Sequence, residues 1–324
     1  MTNWSVQIPE NQLLLHQHVI RTLLYYDIFN YPLKSSEVFR FLGMNSVTES
    51  DVAFALTNLE QKGAIYKISE YYCIKPAEDD VHRRIKGNKT AESFLDLARR
   101  QALFIASFPF VRGVLVSGSL SKGYMDEKSD LDFFIITAPR RLWIARTLLV
   151  MYKRLFLFNS HKFFCVNYFV DEDHPEIEEK NLFTATELAT VIPFYGSQQY
   201  QQLIGSNVWL TQYFPNFKPR STTQVPTSAS TGIKKVMEGI INAFLPSRVE
   251  QHLRKVTLQR WQRIYKQHYS SADFDIAFKS EAYASKNHPK NYQHKILEIY
   301  ADRLRSFELN SVMSIPHTQE MTKV

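Results

Sequence analysis

The sequence predicts an α+β protein: a central mixed sheet covered by helices, preceded by a small domain of helices and a hairpin and followed by a helical C-terminal domain. Apolar residues recur at helical spacing near the N-terminus, whereas β-branched and aromatic residues alternate along short runs in the middle of the chain. A chain of 324 residues with 44% hydrophobic residues is long enough for two or three domains with hydrophobic cores. We expect domains at 1–76, 77–219 and 233–324, with a linker at 220–232.

Two helices are expected at the start of the chain. An apolar stripe over residues 13–29 stops immediately before Asn30-Tyr31-Pro32, which has the composition of a turn. Ser35 or Ser36 is then in position to cap a second helix that continues to Leu42.

A third helix and a hairpin follow. Thr48 and Asp51 have the spacing of a capping box, and Gly63 stands where a left-handed residue commonly ends a helix. Residues 64–68 and 71–74 alternate in polarity, so they predict two strands joined by a tight turn.

Three short helices and a hairpin in this order resemble a winged helix-turn-helix domain over residues 13–76. The resemblance implies that the third helix would read DNA. Its acidic side chains outnumber its basic ones, and phosphate groups repel them. The charged residues are Glu49, Asp51 and Glu60 against the single base Lys62. We therefore expect this domain to dock a protein partner or to have a structural role, with DNA readout as the alternative.

The functional prediction depends on the segment Val114–Thr137. A helix is expected up to about Ser107, and the apolar run that begins at Val114 ends at Ser117-Gly118-Ser119. Ten polar or flexible residues separate this turn from the alternating strand Asp130–Ile136. Two strands therefore flank a loop that has acidic residues at its exit.

The two acids and the glycine turn have complementary chemistry. Successive side chains of a strand point to opposite faces, so Asp130 and Asp132 are expected on one face, about 7 Å apart. Mg²⁺ binds one or two carboxylates together with the phosphate oxygens of a substrate. Gly118 lets a phosphate approach the backbone, and Ser119 offers a hydroxyl and an N–H group. The segment therefore predicts a site for a divalent metal and a phosphate-bearing ligand.

This segment resembles the signature of the DNA polymerase β-like nucleotidyltransferase superfamily, in which a strand ends in Gly-Ser and a D-x-D strand follows about ten residues later. The resemblance implies a nucleotidyltransferase domain over 77–219 that binds a nucleoside triphosphate with Mg²⁺ or Mn²⁺. The implied metal ligands are Asp130 and Asp132. The implied nucleotide-binding residues are Gly118, Ser119 and Lys122. A surface hairpin with solvated acids is the alternative, and the apolar residues around the acids disfavour it.

Superfamily members often carry a third carboxylate on a later strand, and here that position is not acidic. After an apolar helix over Leu142–Phe158, the next strand is expected over Phe163–Val170, with Asn167 where an acid would stand. Asn167 is included in the expected catalytic set as a hydrogen-bonding group, and the alternative is an amide that satisfies neighbouring backbone. Asp171 is the fallback general base.

The rest of the chain is expected to be mostly helical. Thr184 and Glu187 fit a capping box, which gives Glu187 a structural role. The Ser/Thr-rich stretch 220–232 has the composition of a linker. Beyond it, Arg248–Tyr269 predicts a helix with a charged outer face, and we expect the C-terminal helices to close over the active-site face. The buried stripe of that helix is expected to comprise Leu253, Leu258, Trp261 and Ile264.

One further stretch, Lys286–Asn291, has turn-like composition, and contact with phosphate or acceptor is its alternative role. The net charge of +7 favours a polyanionic partner or substrate. The two cysteines lie in apolar runs and indicate neither a disulfide framework nor a zinc site. With no signal sequence in residues 1–12 and no membrane span, a cytoplasmic location is expected.

The expected function is a Mg²⁺-dependent nucleotidyltransferase that moves a nucleoside monophosphate from a nucleoside triphosphate, ATP among them, to an acceptor and releases pyrophosphate. The acceptor could be a nucleic acid, a protein or a small molecule, because the D-x-D strand is shared among members with all three. One alternative is a catalytically inactive nucleotide-binding or scaffold protein. The other is a winged-helix transcriptional regulator whose central domain senses a ligand.

Overall fold

The computed structural model describes residues 10–158, 162–227 and 232–313, so part of the expected linker and of both termini lies outside the described residues. The described residues form thirteen α-helices and eight strands. The helices are α1 (Glu10–Asp27), α2 (Ser35–Arg40), α3 (Glu49–Gln61), α4 (Glu78–Ala106), α5 (Gly118–Ser121), α6 (Leu142–Phe156), α7 (Leu182–Thr190), α8 (Ser197–Ser206), α9 (Leu210–Tyr213), α10 (Gly232–Phe244), α11 (Ser247–Tyr265), α12 (Ser271–Ala277) and α13 (Tyr292–Met313). The strands are β1 (Leu33–Lys34), β2 (Tyr66–Ile68), β3 (Tyr71–Cys73), β4 (Val111–Ser117), β5 (Asp132–Thr137), β6 (Cys165–Asp171), β7 (Ile192–Tyr195) and β8 (Ala284–Lys286).

The described residues divide into two compact units, one within Met1–Val81 and Gln293–Val324 and the other within His82–Tyr292. The described part of the expected linker at 220–232 therefore lies inside the second unit, together with residues on both sides of it. The four-part functional division of the chain stays a prediction. None of the described helices combines the length and apolar character that crossing a membrane requires.

The first unit contains the predicted order of three helices and a hairpin. The capping box of α3 is present, since Thr48 Oγ1 accepts from the Asp51 N–H at 3.2 Å and Asp51 Oδ2 accepts from the Thr48 N–H at 2.8 Å. Gly63 has a φ of +68° and ends α3 as predicted. Strand β1, which the sequence did not predict, pairs with β3 and gives a small antiparallel sheet in the order β1-β3-β2.

The prediction for the cap of α2 was wrong. Lys34, rather than Ser35 or Ser36, is the N-cap residue, and its N–H donates to Glu37 Oε2 at 2.8 Å. A carboxylate one turn into the helix therefore satisfies this backbone donor, which is half of a capping box without the usual hydroxyl. The helix also ends at Arg40, before the predicted Leu42.

The second unit is built on the predicted mixed sheet, which has five strands in the order β7-β4-β5-β6-β8. Strands β5 and β6 are parallel, and the other neighbours are antiparallel. Helix α6 connects β5 to β6, because a parallel pair needs a crossover segment. The chain is thus a mixed α/β protein with one mixed sheet and one small antiparallel sheet.

Helices from both sides of residues 220–232 pack in one hydrophobic core with this sheet. Phe133 and Ile135 of β5 contribute to the same buried cluster as Trp143 of α6 and Trp261 of α11. The predicted apolar stripe of α11 holds for Trp261, which is 5% exposed, but Ile264 is 42% exposed and lies outside the core. The C-terminal part is also not purely helical, since β8 pairs with β6 at the sheet edge.

Glu250 of α11 ties the C-terminal helices to the sheet by capping α6. Its two carboxylate oxygens accept from the backbone N–H groups of Trp143 and Ile144, at 2.8 and 3.0 Å. Burial raises the pKa of Glu250, while these two hydrogen bonds lower it. A side chain 106 residues further along the chain therefore satisfies the first donors of the helix that precedes β6.

Replacing Glu250 with alanine would leave two buried N–H groups unpaired. We expect Glu250→Ala to lower the free energy of unfolding by about 3 kcal/mol, the range for charge-assisted hydrogen bonds. Urea unfolding followed by tryptophan fluorescence measures this. The control is Gln251→Ala at the exposed neighbouring position, which should change stability little. Equal effects of the two substitutions would show that the cap contributes nothing.

Candidate functional site

The candidate site begins where β4 ends. The apolar run of β4 is buried between β5 and β7, and Gly118 leaves the strand with a φ of +66°. The predicted turn is a short helix, α5, in which Ser121 Oγ donates to the Gly118 carbonyl at 2.8 Å. Ser119 lies on α5, and its carbonyl accepts from the Lys122 N–H at 3.0 Å. The backbone at Gly118 and Ser119 is therefore tightly fixed.

Gly118 lies directly against the carboxylate of Asp132. A Cβ atom at Gly118 would stand 2.4 Å from Asp132 Oδ2, closer than any real contact. The register of the antiparallel pair explains this closeness, because Ser117 is opposite Asp132. Both the positive φ and the absent side chain are required here. The two halves of the predicted segment thus meet.

Asp130 and Asp132 flank a buried leucine. Strand β5 begins at Asp132, two residues later than predicted, so Asp130 precedes the regular ladder. Leu131 is fully buried, whereas both acids keep intermediate exposure, so the alternation of faces persists across the strand start.

Asn167 lies beside Asp132 because of a bulge in β6. Phe133 pairs with Val166 and Phe134 with Tyr168, which leaves Asn167 as the extra residue between them. Its Nδ2 donates to Asp132 Oδ1 at 3.2 Å. The amide of this bulged residue therefore lies next to the acid.

The carboxylate of Asp132 is electrostatically strained. Burial raises its pKa to about 6, a hydrogen bond from the Cys165 thiol opposes the rise, and the charges of Glu187 and Asp130 add to it. The ammonium of Lys122 acts in the opposite direction. Two further carboxylates therefore influence Asp132, and the positive charge present does not fully compensate them.

Lys122 and Glu187 form an ion pair at the same place. Lys122 Nζ lies 2.8 Å from Glu187 Oε1 and donates to the Gly118 carbonyl at 3.1 Å. The expected capping box was wrong: Asn181 caps α7 and accepts from the Thr184 N–H at 3.0 Å. Glu187 therefore has its partner in the site rather than at the start of its own helix.

Three site neighbours were missed as functional candidates from the sequence. Burial raises the pKa of Cys165, which donates to Asp132. Burial lowers the pKa of Lys153, and the charges of Cys165 and Asp130 raise it. Burial also lowers the pKa of Lys286 on β8, whose ammonium lies 5.8 Å from the ring centre of Tyr168. Of the three, only Lys286 lies in a stretch that the sequence singled out, the polar segment Lys286–Asn291.

Asp171 does not reach the site. It pairs with Thr137 at the far end of β5, about 17 Å along the strand from Asp132 at ordinary strand rise. Its carboxylate accepts from the His174 N–H at 3.0 Å and contacts His174 Nδ1 at 2.9 Å. The expectation that Asp171 could act as fallback base is therefore wrong.

The donor set of the site consists of hard oxygen ligands. Asp130 and Asp132 are the pair that would hold a divalent cation together with substrate oxygens. Within the described residues, no three His, Cys, Asp or Glu side chains are grouped closely enough to hold a metal ion by themselves. Comparisons with protein-family models, with curated proteins and with solved structures return no match.

Gly118 allows a direct test of the contact with Asp132. We expect Gly118→Ala to lower the free energy of unfolding by about 2 kcal/mol or more, because the new methyl group meets Asp132 and the left-handed backbone disfavours alanine. Thermal or urea unfolding measures the change. Gly239→Ala in α10 is the matched control, since nothing lies near its Cβ and a helical Gly→Ala change should stabilise. A loss no larger than that of the control would contradict the close approach.

The raised pKa of Asp132 makes stability depend on pH. The fold favours the protonated carboxyl group, so the stability that Asp132 contributes is fully present below its unfolded pKa of 3.8. This stability is lost as the pH rises through the folded pKa of about 6. Asp132→Asn should therefore stabilise the protein at pH 8, by up to about 3 kcal/mol, and much less at pH 4. Unfolding curves at the two pH values measure this difference.

Asp126→Asn provides the opposite control. Burial opposes the shift, but hydrogen bonds from Ser129 and Tyr124 lower the pKa of Asp126, so its removal should destabilise the protein at pH 8. If Asp132→Asn gave the same stability change at both pH values, its carboxylate would not be desolvated in the fold.

Proposed function

We propose that this chain is a Mg²⁺-dependent nucleotidyltransferase that moves a nucleoside monophosphate from a nucleoside triphosphate to an acceptor and releases pyrophosphate. The observation that carries the proposal is the close approach of Gly118 to Asp132, whose Oδ2 lies 2.4 Å from the position that a Cβ atom at Gly118 would take. It supports the proposal because a glycine turn can accommodate phosphate and the adjoining carboxylate is of the kind that binds a hard cation. A surface hairpin with solvated acids would not enclose a carboxylate in this way.

Mg²⁺ or Mn²⁺ fits the acids of this site. Asp132 has a raised pKa because burial and two neighbouring carboxylates act on it together, and a cation relieves that charge. Asp130 and Asp132 would hold the metal, which when bound offsets the charge that develops on the phosphate oxygens. The Asn167 amide would keep Asp132 Oδ1 in a fixed orientation through its hydrogen bond.

The triphosphate would bind at the glycine turn beside Asp132. Gly118 and Ser119 would bind the β- and γ-phosphates, since the positive φ at Gly118 leaves room for an anion near the backbone. Lys122 would add a positive charge beside them. The acceptor is a hydroxyl or similar group on a nucleic acid, a protein or a small molecule.

A catalytically inactive nucleotide-binding protein is the second candidate. The observation that favours it is Asn167, because this amide beside Asp132 cannot take up an acceptor proton. Such a protein would bind a metal–nucleotide complex through the same groups without transferring it.

We also propose that the first unit is a winged helix that docks a protein partner. Three helices, a short strand and a hairpin in a three-stranded antiparallel sheet support this fold. A DNA-binding regulator is the alternative role. Cys73 and Cys165 are buried thiols that form no disulfide, which fits the reducing cytoplasm that we propose as the location.

A nucleotidyl-transfer assay tests the enzyme. The purified chain is mixed with Mg²⁺ and α-³²P-labelled ATP, GTP, CTP or UTP, with the chain itself, RNA and a panel of hydroxyl compounds as acceptors. We expect pyrophosphate release and label transfer that fall by about a hundredfold or more in Asp130→Asn and Asp132→Asn, since the metal would lose a carboxylate ligand.

Asp126→Asn, which changes an exposed acid of the same loop, is the control that should retain transfer. Wild type and the two aspartate variants behaving alike across the panel would exclude transfer at this site. Metal-dependent nucleotide binding without any transfer would select the second candidate.

A further inference from the structure

The strand beside Asp132 supplies an amide where a third carboxylate would stand. Asn167 Nδ2 donates to Asp132 Oδ1 at 3.2 Å, so it adds a hydrogen bond but no negative charge. Asp171 lies at the other end of the same strand. Any third carboxylate near Asp132 must therefore come from a different element.

Helix α7 brings such a carboxylate. Glu187 is on the second turn of α7, and its charge, like that of Asp130, raises the pKa of Asp132. The Glu187 side chain is 32% exposed to solvent, so a ligand can reach it. It is therefore a charged neighbour of Asp132 that remains accessible from solvent.

Lys122 holds Glu187 in its present position. The ammonium lies 2.8 Å from Glu187 Oε1 and 3.1 Å from the Gly118 carbonyl oxygen, so it joins the acid to the glycine turn. A triphosphate bound at Gly118 and Ser119 would carry several negative charges next to the same ammonium. Glu187 and a bound triphosphate would therefore compete for Lys122.

Arg220 links the backbone next to Lys122 to the end of the helix that carries Glu187. Its Nη2 donates to the carbonyl of Ser121, next to Lys122, at 3.1 Å, and to the carbonyl of Thr190, at the end of α7, at 3.2 Å. Because α5 and α7 are tied together in this way, an exchange of partners by Lys122 and Glu187 would involve rotation of their side chains rather than movement of the two helices.

We propose that Glu187 is the third carboxylate of the metal–nucleotide site and that Lys122 is its latch: a bound triphosphate draws Lys122 away, and Glu187 then joins Asp130 and Asp132 as a cation ligand. The inference rests on the proposed function. It assigns to a helix the acid that the neighbouring strand lacks, and it makes assembly of the full metal site dependent on the nucleotide.

The latch predicts opposite effects of Glu187→Gln with and without metal. Titration calorimetry with ATP, GTP, CTP and UTP is done in EDTA and again with Mn²⁺. The variant should bind the metal-free triphosphate about fivefold more tightly, because Lys122 loses its ion pair with Glu187. It should bind the Mn²⁺ complex about fivefold more weakly, because a carboxylate ligand is missing. A purely structural role for Glu187 would move both affinities in the same direction.

Rescue and control variants complete the test. Adding Asn167→Asp to Glu187→Gln should restore the gain in affinity from Mn²⁺, since a carboxylate again stands beside Asp132. Lys122→Met should weaken metal-free binding while the gain from Mn²⁺ remains. Glu176→Gln, which breaks an exposed ion pair with Lys180, should change neither affinity.

The outcomes separate the two levels of the proposal. If the wild type binds none of the four triphosphates with or without Mn²⁺, the proposed function fails and the latch fails with it. If wild-type binding depends on Asp130 and Asp132 but Glu187→Gln weakens both forms or changes neither, only the role of Glu187 is overturned.

Discussion

The contact between Gly118 and the carboxylate of Asp132 is the constraint on which the rest of the site depends. The antiparallel register of β4 and β5 places Ser117 opposite Asp132, and the chain must then turn away at once without a side chain in between. A left-handed glycine meets both requirements. Helix α5 follows from this turn and brings Lys122 back to the Gly118 carbonyl. One backbone geometry therefore positions the turn, the acid and the lysine together.

The ionised carboxylate of Asp132 lowers the stability of the fold at neutral pH. Burial and the neighbouring carboxylates raise the pKa of Asp132 to about 6, so at neutral pH the fold contains a carboxylate in an unfavourable environment. Both faces of the strand that carries Asp132 are buried, since Phe133 and Phe134 point to opposite faces and neither is exposed. Unfavourable charge concentrated at one point of a well-packed sheet is typical of a binding or catalytic site.

Local sequence patterns predicted the helices and strands. The features of the site that the sequence did not predict depend on segments that are far apart in the chain. The capping box at Thr48, the left-handed Gly63 and the strands on either side of the central loop follow from residues a few positions apart, which is why the sequence predicted them. The bulge at Asn167 and the edge strand β8 depend on pairing between separated segments. No local pattern encodes such pairing, because alternation fixes which face a residue takes and not which partner it meets.

The role of Glu187 was also not predictable from local sequence. Its negative charge gives a physical reason for an amide, rather than an acid, beside Asp132. Its spacing from Thr184 fitted a capping box, but Asn181 satisfies that helix start and leaves Glu187 to Lys122. With Asp130 and Glu187 already raising the pKa of Asp132, an acid at position 167 would add a further negative charge within hydrogen-bonding distance. An asparagine there donates a hydrogen bond to the carboxylate instead and lowers the electrostatic cost. An amide on the strand and an acid on the helix are therefore complementary features of one site.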